Sequence, residues 1–221
     1  MAQVPAPTPA EEAANDELRA APRYALMLRA GKLIAPTGEF LCILRDASET
    51  GVKAKLFHDL PAGDGFELEL GNGERYPVEA VWQREGHAGF RFADGPIDIQ
   101  ALVDERGNFP RRQIRLKVNP ALDVLVHAGG LARAGRLVDL SLNGVAIECD
   151  PPLALRQLVR VEADGLGRLF GRVRWRRGAA HGVILQETFR LDQLAALVAR
   201  LQLGAPGSAK AGVVGANPHP R

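Results

Sequence analysis

The chain has 221 residues, of which 46% are hydrophobic and 24% are charged, so its composition suits a globular protein with one large or two small domains. No apolar run approaches the roughly 20 residues that a membrane span needs, and the N-terminus lacks the pattern of a signal peptide, so we expect a cytoplasmic protein. The net charge of +2 conceals an asymmetry, because Arg106 to Arg177 contain 14 Lys and Arg against 6 Asp and Glu. This basic stretch is either the place where an anionic ligand binds or a solvated arginine-rich surface.

The first half of the chain is predicted to be mainly β. Residues 1–18 are rich in Pro, Ala and acidic residues, and we expect them to be disordered. After them, short apolar runs are bounded by Gly, Pro, Asn or Asp, which is the pattern of strands. The predicted strands are Phe40–Leu44, Val52–Phe57, Gly65–Leu70, Tyr76–Trp82 and Ala88–Phe92. A short helix over Ile97–Glu105 is predicted to follow them.

The second half shows the same kind of pattern. The predicted strands are Leu122–His127, Gly135–Val138, Val145–Cys149, Leu158–Ala163, Arg168–Trp175 and Gly182–Gln186. A helix is predicted over Leu191–Leu203, because its leucines recur at helical spacing along one face. That face either packs against its own barrel or binds a partner. The tail, residues 204–221, is rich in Gly, Ala and Pro and is predicted to be disordered.

Three landmarks recur along the chain with one constant spacing. The segment Asp46-Ala-Ser-Glu-Thr-Gly51 reappears as Asp139-Leu-Ser-Leu-Asn-Gly144, 93 residues later. A tryptophan followed seven residues later by a glycine recurs at the same offset, first at Trp82 and then at Trp175. The sequence therefore predicts two copies of one small domain, over residues 19–105 and 106–203, each an antiparallel barrel or sandwich.

The remaining chemistry-bearing residues favour a structural role. Cys42 and Cys149 each lie inside an apolar strand-like run, so we expect buried, reduced thiols. The five histidines show no metal-ligand spacing. No nucleophile elbow and no pair of catalytic carboxylates stands out, so the sequence predicts no enzyme, metal or cofactor.

Arginines precede both copies of the Asp-x-Ser-x-x-Gly segment. Arg111 and Arg115 stand four residues apart, with Arg112 beside the first of them, and Asp139 follows Arg115 after 24 residues. In the first copy, Arg19 and Arg23 have the same spacing and Asp46 follows Arg23 after 23 residues. Taken alone, each segment is also typical of a turn in which Asp and Ser bond to the local backbone.

Together these motifs resemble the PilZ family of cyclic di-GMP receptors, which is marked by RxxxR before a β-barrel and (D/N)xSxxG on it. The resemblance covers about residues 19–200 and implies two tandem PilZ-like antiparallel β-barrels, each followed by a short α-helix. It implies a receptor that binds cyclic di-GMP through an arginine pair and the barrel motif. The residues it assigns to the ligand in the second copy are Arg111, Arg112, Arg115, Asp139, Ser141 and Gly144.

The chemistry of these residue types suits the ligand that the resemblance implies. A guanidinium can donate two parallel hydrogen bonds to guanine O6 and N7, and it can also pair with a phosphate. A carboxylate such as Asp139 can accept from the N1–H and N2–H₂ edge of guanine, and Ser141 can donate to a phosphate or orient its neighbours. Gly144 lets the backbone turn or approach the ligand closely. Binding is expected to order the arginine segment and change how the two barrels are arranged.

The first copy is a weaker candidate for a second ligand site, formed by Arg19, Arg23, Asp46, Ser48 and Gly51. Pro22 lies between its two arginines, and the nearby residues Glu11, Glu12, Asp16 and Glu17 are acidic, which works against a dianionic ligand. The alternative for this copy is a packing or partner-docking module.

Three functions remain open for the whole chain. It is either a receptor or adaptor that regulates motility, biofilm or exopolysaccharide processes through an unknown protein partner, or a PilZ-like interaction module that no longer binds nucleotide. Nucleic-acid binding through the basic half is a third reading. We do not expect nucleic-acid binding, because only 5% of residues are aromatic and few side chains can stack on bases.

Overall fold

The computed structural model describes residues 24–61, 63, 65–100 and 113–203. Two closed six-stranded antiparallel barrels account for most of this part of the chain. The predictions that residues 1–18 and 204–221 are disordered lie outside the described residues.

The first barrel is formed by six strands joined in the order β1-β2-β3-β6-β5-β4. They are β1 (Tyr24–Ala35), β2 (Gly38–Ser48), β3 (Gly51–Lys55), β4 (Phe66–Glu69), β5 (Arg75–Arg84) and β6 (His87–Phe92). Alternate side chains point inward and form a core that includes Leu33, Phe40, Leu44, Leu68 and Phe90.

The second barrel repeats this order as β7-β8-β9-β12-β11-β10. Its strands are β7 (Leu116–Ala128), β8 (Leu131–Leu140), β9 (Gly144–Cys149), β10 (Leu158–Ala163), β11 (Gly167–Arg177) and β12 (Ala180–Leu185). One helix, α1 (Leu191–Leu203), follows them, and its buried Leu194, Leu197 and Val198 join the core of this barrel. The repeated topology confirms that the chain contains two copies of one β-barrel.

The structure confirms the predicted strands and the helix over Leu191–Leu203, and it adds one strand. β1 (Tyr24–Ala35) was not predicted, because Gly31 and Lys32 interrupt its apolar pattern. Asn119 and Pro120 likewise conceal the start of β7, where the pairing with β8 shifts register between Lys117 and Leu122. Among the described residues α1 is the one complete α-helix. Of the helix predicted over Ile97–Glu105, Ile99 and Gln100 are helical and residues 101–105 lie outside the described part of the chain. In the described part of the chain, no helix has both the length and the apolar character needed to cross a bilayer.

The recurring tryptophan and glycine form a cross-strand pair in each barrel. Trp82 lies opposite Gly89 and Trp175 lies opposite Gly182, in both cases just after an irregularity in the strand pairing. A Cβ atom on either glycine would overlap the indole ring of its partner. Each glycine, which has no side chain, therefore leaves room for the indole ring to pack over it. The recurring tryptophan–glycine pair is thus explained by packing.

The buried cysteines and His181 also have structural roles. Cys42 and Cys149 are free and buried, as predicted. Burial raises the pKa of the Cys42 thiol to about 12. His181 is fully buried, and its Nε2 accepts a hydrogen bond of 3.0 Å from the amide of Leu153, so the ring is neutral in this arrangement. Burial lowers the pKa of His181.

The two barrels contact each other through β2 of the first barrel and the start of β7 and the end of α1 in the second. Gln202, near the end of α1, donates to the carbonyl of Lys117 at 2.5 Å and to that of Glu39 at 3.3 Å, and it accepts from the amide of Asn119 at 3.1 Å. The carboxylate of Glu39 also accepts from the amide of Lys117 at 2.8 Å. Glu39 is on β2 of the first barrel, so these hydrogen bonds fasten the barrels together.

Apolar packing reinforces this contact. Leu41 of β2 is 2% exposed and belongs to the core of the second barrel, whereas Ala199 of α1 belongs to that of the first. Each barrel therefore contributes a residue to the interior of the other.

A buried ion triad lies next to this contact in the first barrel. The ammonium of Lys32 is 3.1 Å from the carboxylate of Glu39 and 3.0 Å from that of Glu69. The side chains are 9%, 12% and 18% exposed, respectively. The same Glu39 thus neutralises a buried lysine and binds the second barrel.

Candidate functional site

The second copy of the Asp-x-Ser-x-x-Gly segment forms the connection between β8 and β9. The hydroxyl of Ser141 is buried and donates to the carbonyl of Gly144 at 3.0 Å, and the Ser141 amide donates to the same oxygen at 2.8 Å. The serine therefore holds the turn closed. This geometry suits the orienting role expected for Ser141, and donation to a phosphate remains a prediction.

Gly144 is required by the close approach of a neighbouring strand. A Cβ atom at this position would lie 2.7 Å from the carbonyl oxygen of Val183 on β12. In the first barrel, a Cβ atom on Gly51 would overlap the carbonyl oxygen of Phe90 on β6. In both copies the glycine of the motif lets the backbones of two paired strands approach each other.

Arg115 meets Asp139 at the edge of the second barrel. Its Nη1 donates to the Asp139 carboxylate over 2.8 Å, and the two side chains are 45% and 18% exposed. Arg115 directly precedes β7, and the pairing of Lys117 with Asp139 sets this distance. The structure thus brings together the arginine and the carboxylate of the two sequence motifs. A guanidinium has five N–H donors, so Arg115 can hold Asp139 and still donate to a ligand.

The other arginines of the predicted sites lie outside the described residues. These are Arg111 and Arg112 in the second copy and Arg19 and Arg23 in the first. Their assignment to the ligand remains a prediction.

In the first barrel, Asp46, Ser48 and Gly51 line one small pocket of about 90 Å³. The hydroxyl of Ser48 lies 3.3 Å from that of Thr50 and donates to the Gly51 carbonyl at 3.5 Å, which is longer than the equivalent bond in the second barrel. Lys53 of β3 pairs with Asp46 and lines the same pocket, at the position that corresponds to Ala146.

Three features of this region were not predicted. No sequence pattern marks Lys53, Glu39 or Gln202, of which the last two contact Lys117, two residues beyond Arg115. Glu39 and Gln202 are single polar residues 163 positions apart, so no local pattern marks them. Within the described ranges, no group of three or more His, Cys, Asp or Glu side chains is placed to hold a metal ion.

Comparison with known proteins supports the assignment of the second barrel. The family model described as the PilZ domain matches residues 105–202. A comparison of the sequence with curated proteins found no match.

Several solved structures match most of the chain at low identity and low TM-score. Borreliella burgdorferi PlzA in complex with c-di-GMP is 12% identical, with a TM-score of 0.34, over 85% of this chain and 97% of that one. The K. pneumonia MrkH–c-di-GMP complex is 13% identical, with a TM-score of 0.31, over 87% and 92%. The Bacillus subtilis inhibitor of motility, MotI/DgrA, is 12% identical, with a TM-score of 0.31, over 80% and 98%.

The family match has a direct consequence for the class of protein. PilZ is a family of receptors rather than enzymes, in agreement with the prediction from sequence. The family match, the barrel topology and the contact between Arg115 and Asp139 identify residues 105–202 of this chain as a PilZ domain.

Proposed function

We propose that the second barrel binds cyclic di-GMP as a signal and that the chain acts as a receptor or adaptor. The observation that carries this proposal is the 2.8 Å contact between Arg115 and Asp139, which joins the two motifs typical of the family. Arg111 and Arg112 complete the site from the segment that precedes β7. Ser141 and Gly144 support it by holding the turn that positions Asp139.

The ligand is held by a division of roles between the arginines and the barrel. Asp139 positions the guanidinium of Arg115, whose other N–H groups donate to a phosphate or to the Hoogsteen edge of guanine. Arg111 supplies a second guanidinium, so one base and one phosphate are bound together. The local excess of basic residues between Arg106 and Arg177 favours a ligand with two negative charges.

The site adjoins the contact between the barrels, which provides a way for the ligand to act on the whole chain. The backbone of Lys117 is bound by Glu39 and Gln202, and Lys117 lies in β7, two residues after Arg115. A ligand that draws the Arg111–Arg115 segment onto the barrel also pulls on the start of β7. The populations of the barrel arrangements then shift, and the difference in the ligand's affinity for them sets the size of the shift.

Calorimetric titration with cyclic di-GMP tests the site. The parent chain should bind, and Arg115→Ala or Asp139→Ala should weaken binding by about tenfold or more, since each removes part of a charge-assisted contact. Arg111→Ala tests the arginine that the resemblance alone assigns. Arg168→Ala is the matched control, because Arg168 is also an exposed arginine in this barrel, 3.4 Å from the carboxylate of Glu162.

Two outcomes would reject parts of this proposal. If the parent chain does not bind cyclic di-GMP, the chain is instead an interaction module without nucleotide. If the parent binds but Arg115→Ala binds equally well, the assigned site is wrong. Small-angle scattering with and without ligand tests the change in barrel arrangement separately from binding.

A further inference from the structure

The outer face of the second barrel carries an unusual combination of side chains on three neighbouring strands. Strands β10, β11 and β12 bury Val159, Val173 and Val183 and turn the intervening side chains outward. The pairing of the strands arranges six outward residues in two rows. The first row is Leu158, Arg172 and Ile184, and the second is Arg160, Phe170 and Gln186. We call these six residues the apolar–arginine face.

The apolar members of this face are open to solvent. Leu158 is 54% exposed, Phe170 is 50% exposed and Ile184 is 49% exposed. Phe170 lies between two cavities of about 420 and 270 Å³, both of which also contact Gln186. The larger cavity extends to Leu197 and Arg200 of α1. Large apolar side chains clustered on three adjacent strands form a patch, and such patches are typical of interaction sites.

The first barrel provides an internal comparison, since it has the same topology. At the offset of 93 residues, Leu158, Phe170 and Ile184 correspond to Gly65, Pro77 and Arg91, and Arg160 and Arg172 correspond to Glu67 and Glu79. The three charged residues among them form ion pairs, Arg91 with Glu79, and Glu67 with Arg75 at 3.4 Å. The barrel fold therefore does not require exposed apolar residues or arginines at these positions.

We propose that the apolar–arginine face docks an acidic segment of a partner protein that alternates carboxylates with apolar side chains. Apolar side chains and arginines alternate across the two rows of this face. An extended segment that alternates apolar side chains with carboxylates can place each of them opposite a suitable neighbour. The arginines attract carboxylates, and Arg168 and Arg200 at the larger cavity add to this charge. Glu162 is already shared by His127 at 2.7 Å, Arg160 at 3.2 Å and Arg168 at 3.4 Å, so the face remains basic.

A protein segment fits this face better than a nucleic acid does. Leu158 and Ile184 cannot stack on bases or bind phosphates, and they gain only by contact with apolar groups. Phe170 is the sole aromatic residue among the six, whereas single-stranded nucleic acids bind to several stacking platforms. Arginine and aromatic side chains are enriched where protein partners bind most strongly.

The test uses fluorescein-labelled 12-residue peptides in which Asp or Glu alternates with Leu or Phe, measured by fluorescence anisotropy with the full chain. The comparison probes are the same peptides with Lys in place of the acids and a mixed-sequence 12-nucleotide single-stranded DNA. The acidic peptides should bind the parent chain, and Phe170→Ser or Arg172→Glu should each weaken binding by about tenfold or more. Both residues are exposed, so circular dichroism should show that these variants remain folded.

Matched controls and a second titration make the outcomes decisive. Val81→Ser and Arg84→Glu make the same kinds of change at exposed positions of the first barrel and should leave peptide binding unchanged. Absence of peptide binding, equal binding by the Lys peptides, or unchanged binding by both face variants would overturn the proposal. Preferential binding of the DNA, lost in Arg172→Glu, would replace it with a nucleic-acid surface. Phe170→Ser should leave cyclic di-GMP binding intact and Arg115→Ala should leave peptide binding intact, so failure here is distinct from failure of the ligand site.

Discussion

Removal of the charge on Lys32 should destabilise the first barrel strongly. The variant Lys32→Met keeps most of the apolar stem but leaves Glu39 and Glu69 facing each other without the ammonium that lies about 3 Å from both. Breaking a buried ion pair on one side costs roughly 3–5 kcal/mol. Glu69 keeps its ion pair with Arg75, whose Nε lies 2.8 Å from the carboxylate, and water can partly solvate both carboxylates, which are 12% and 18% exposed. We therefore expect a loss near the lower end, about 3 kcal/mol.

Urea unfolding measures this loss directly. With a dependence of about 2 kcal/mol per molar urea, a loss of about 3 kcal/mol lowers the midpoint by roughly 1.5 M. Each barrel contains one tryptophan, so a Trp175→Phe background lets Trp82 report the first barrel alone. Lys55→Met is the control, because Lys55 is a lysine on the outer side of β3 whose ammonium lies 5.4 Å from the ring centre of Phe57. A Lys32→Met midpoint equal to that of the parent would show that the triad does not stabilise the barrel.

Three further predictions concern buried groups. Gly182→Ala should lower the stability of the second barrel by about 2 kcal/mol, because the new Cβ would displace the indole of Trp175. The thermal midpoint and the tryptophan emission should both shift. Unchanged emission would argue against this contact. Cys42 should resist iodoacetamide at pH 8 in the native chain and react in urea, because burial raises its pKa to about 12; rapid native alkylation, located by mass spectrometry, would contradict this. Burial lowers the pKa of His181, so the unfolded state binds its proton first and stability should be fully present above about pH 6.5 and decline as the pH falls below it. His181→Gln should flatten that decline in urea titrations at pH 7.5 and 5.5, and an equally steep decline in this variant would exclude His181 as its source.

Local patterns in the sequence predict the strands well where apolar and polar residues alternate without interruption. They fail at β1, where Lys32 is buried on the outer side of the strand beside Leu41, which packs into the second barrel. The carboxylate partners of Lys32 cannot be recognised from the sequence. They also shorten β7, because Pro120 breaks the pattern although the strand continues past it. The internal repeat is the stronger signal, since its constant spacing predicts the duplicated barrel from a few landmarks.

The candidate site shows the same contrast between local and distant information. The motif that contains Asp139, Ser141 and Gly144 is contiguous, so the sequence identifies it and its turn. The contact of Asp139 with Arg115 depends on the register of β7 and β8, which only the resemblance to PilZ suggested in advance. The contact between the barrels was not predictable, because Gln202 and Glu39 are far apart in the chain and neither belongs to a motif.

The contribution of Ala199 and Gln202 to the first barrel bears on how the chain is made. Synthesis proceeds from the N-terminus, and domains tend to fold as units as they emerge. The first barrel can close its hydrogen-bonded ladder once β6 has been made, but the rim at Glu39 is not fully covered until Gln202, which lies 110 residues after the end of β6 at Phe92. The nascent chain therefore passes through a stage in which the folded first barrel exposes part of its contact surface, and α1, the last helix to emerge, completes the cover.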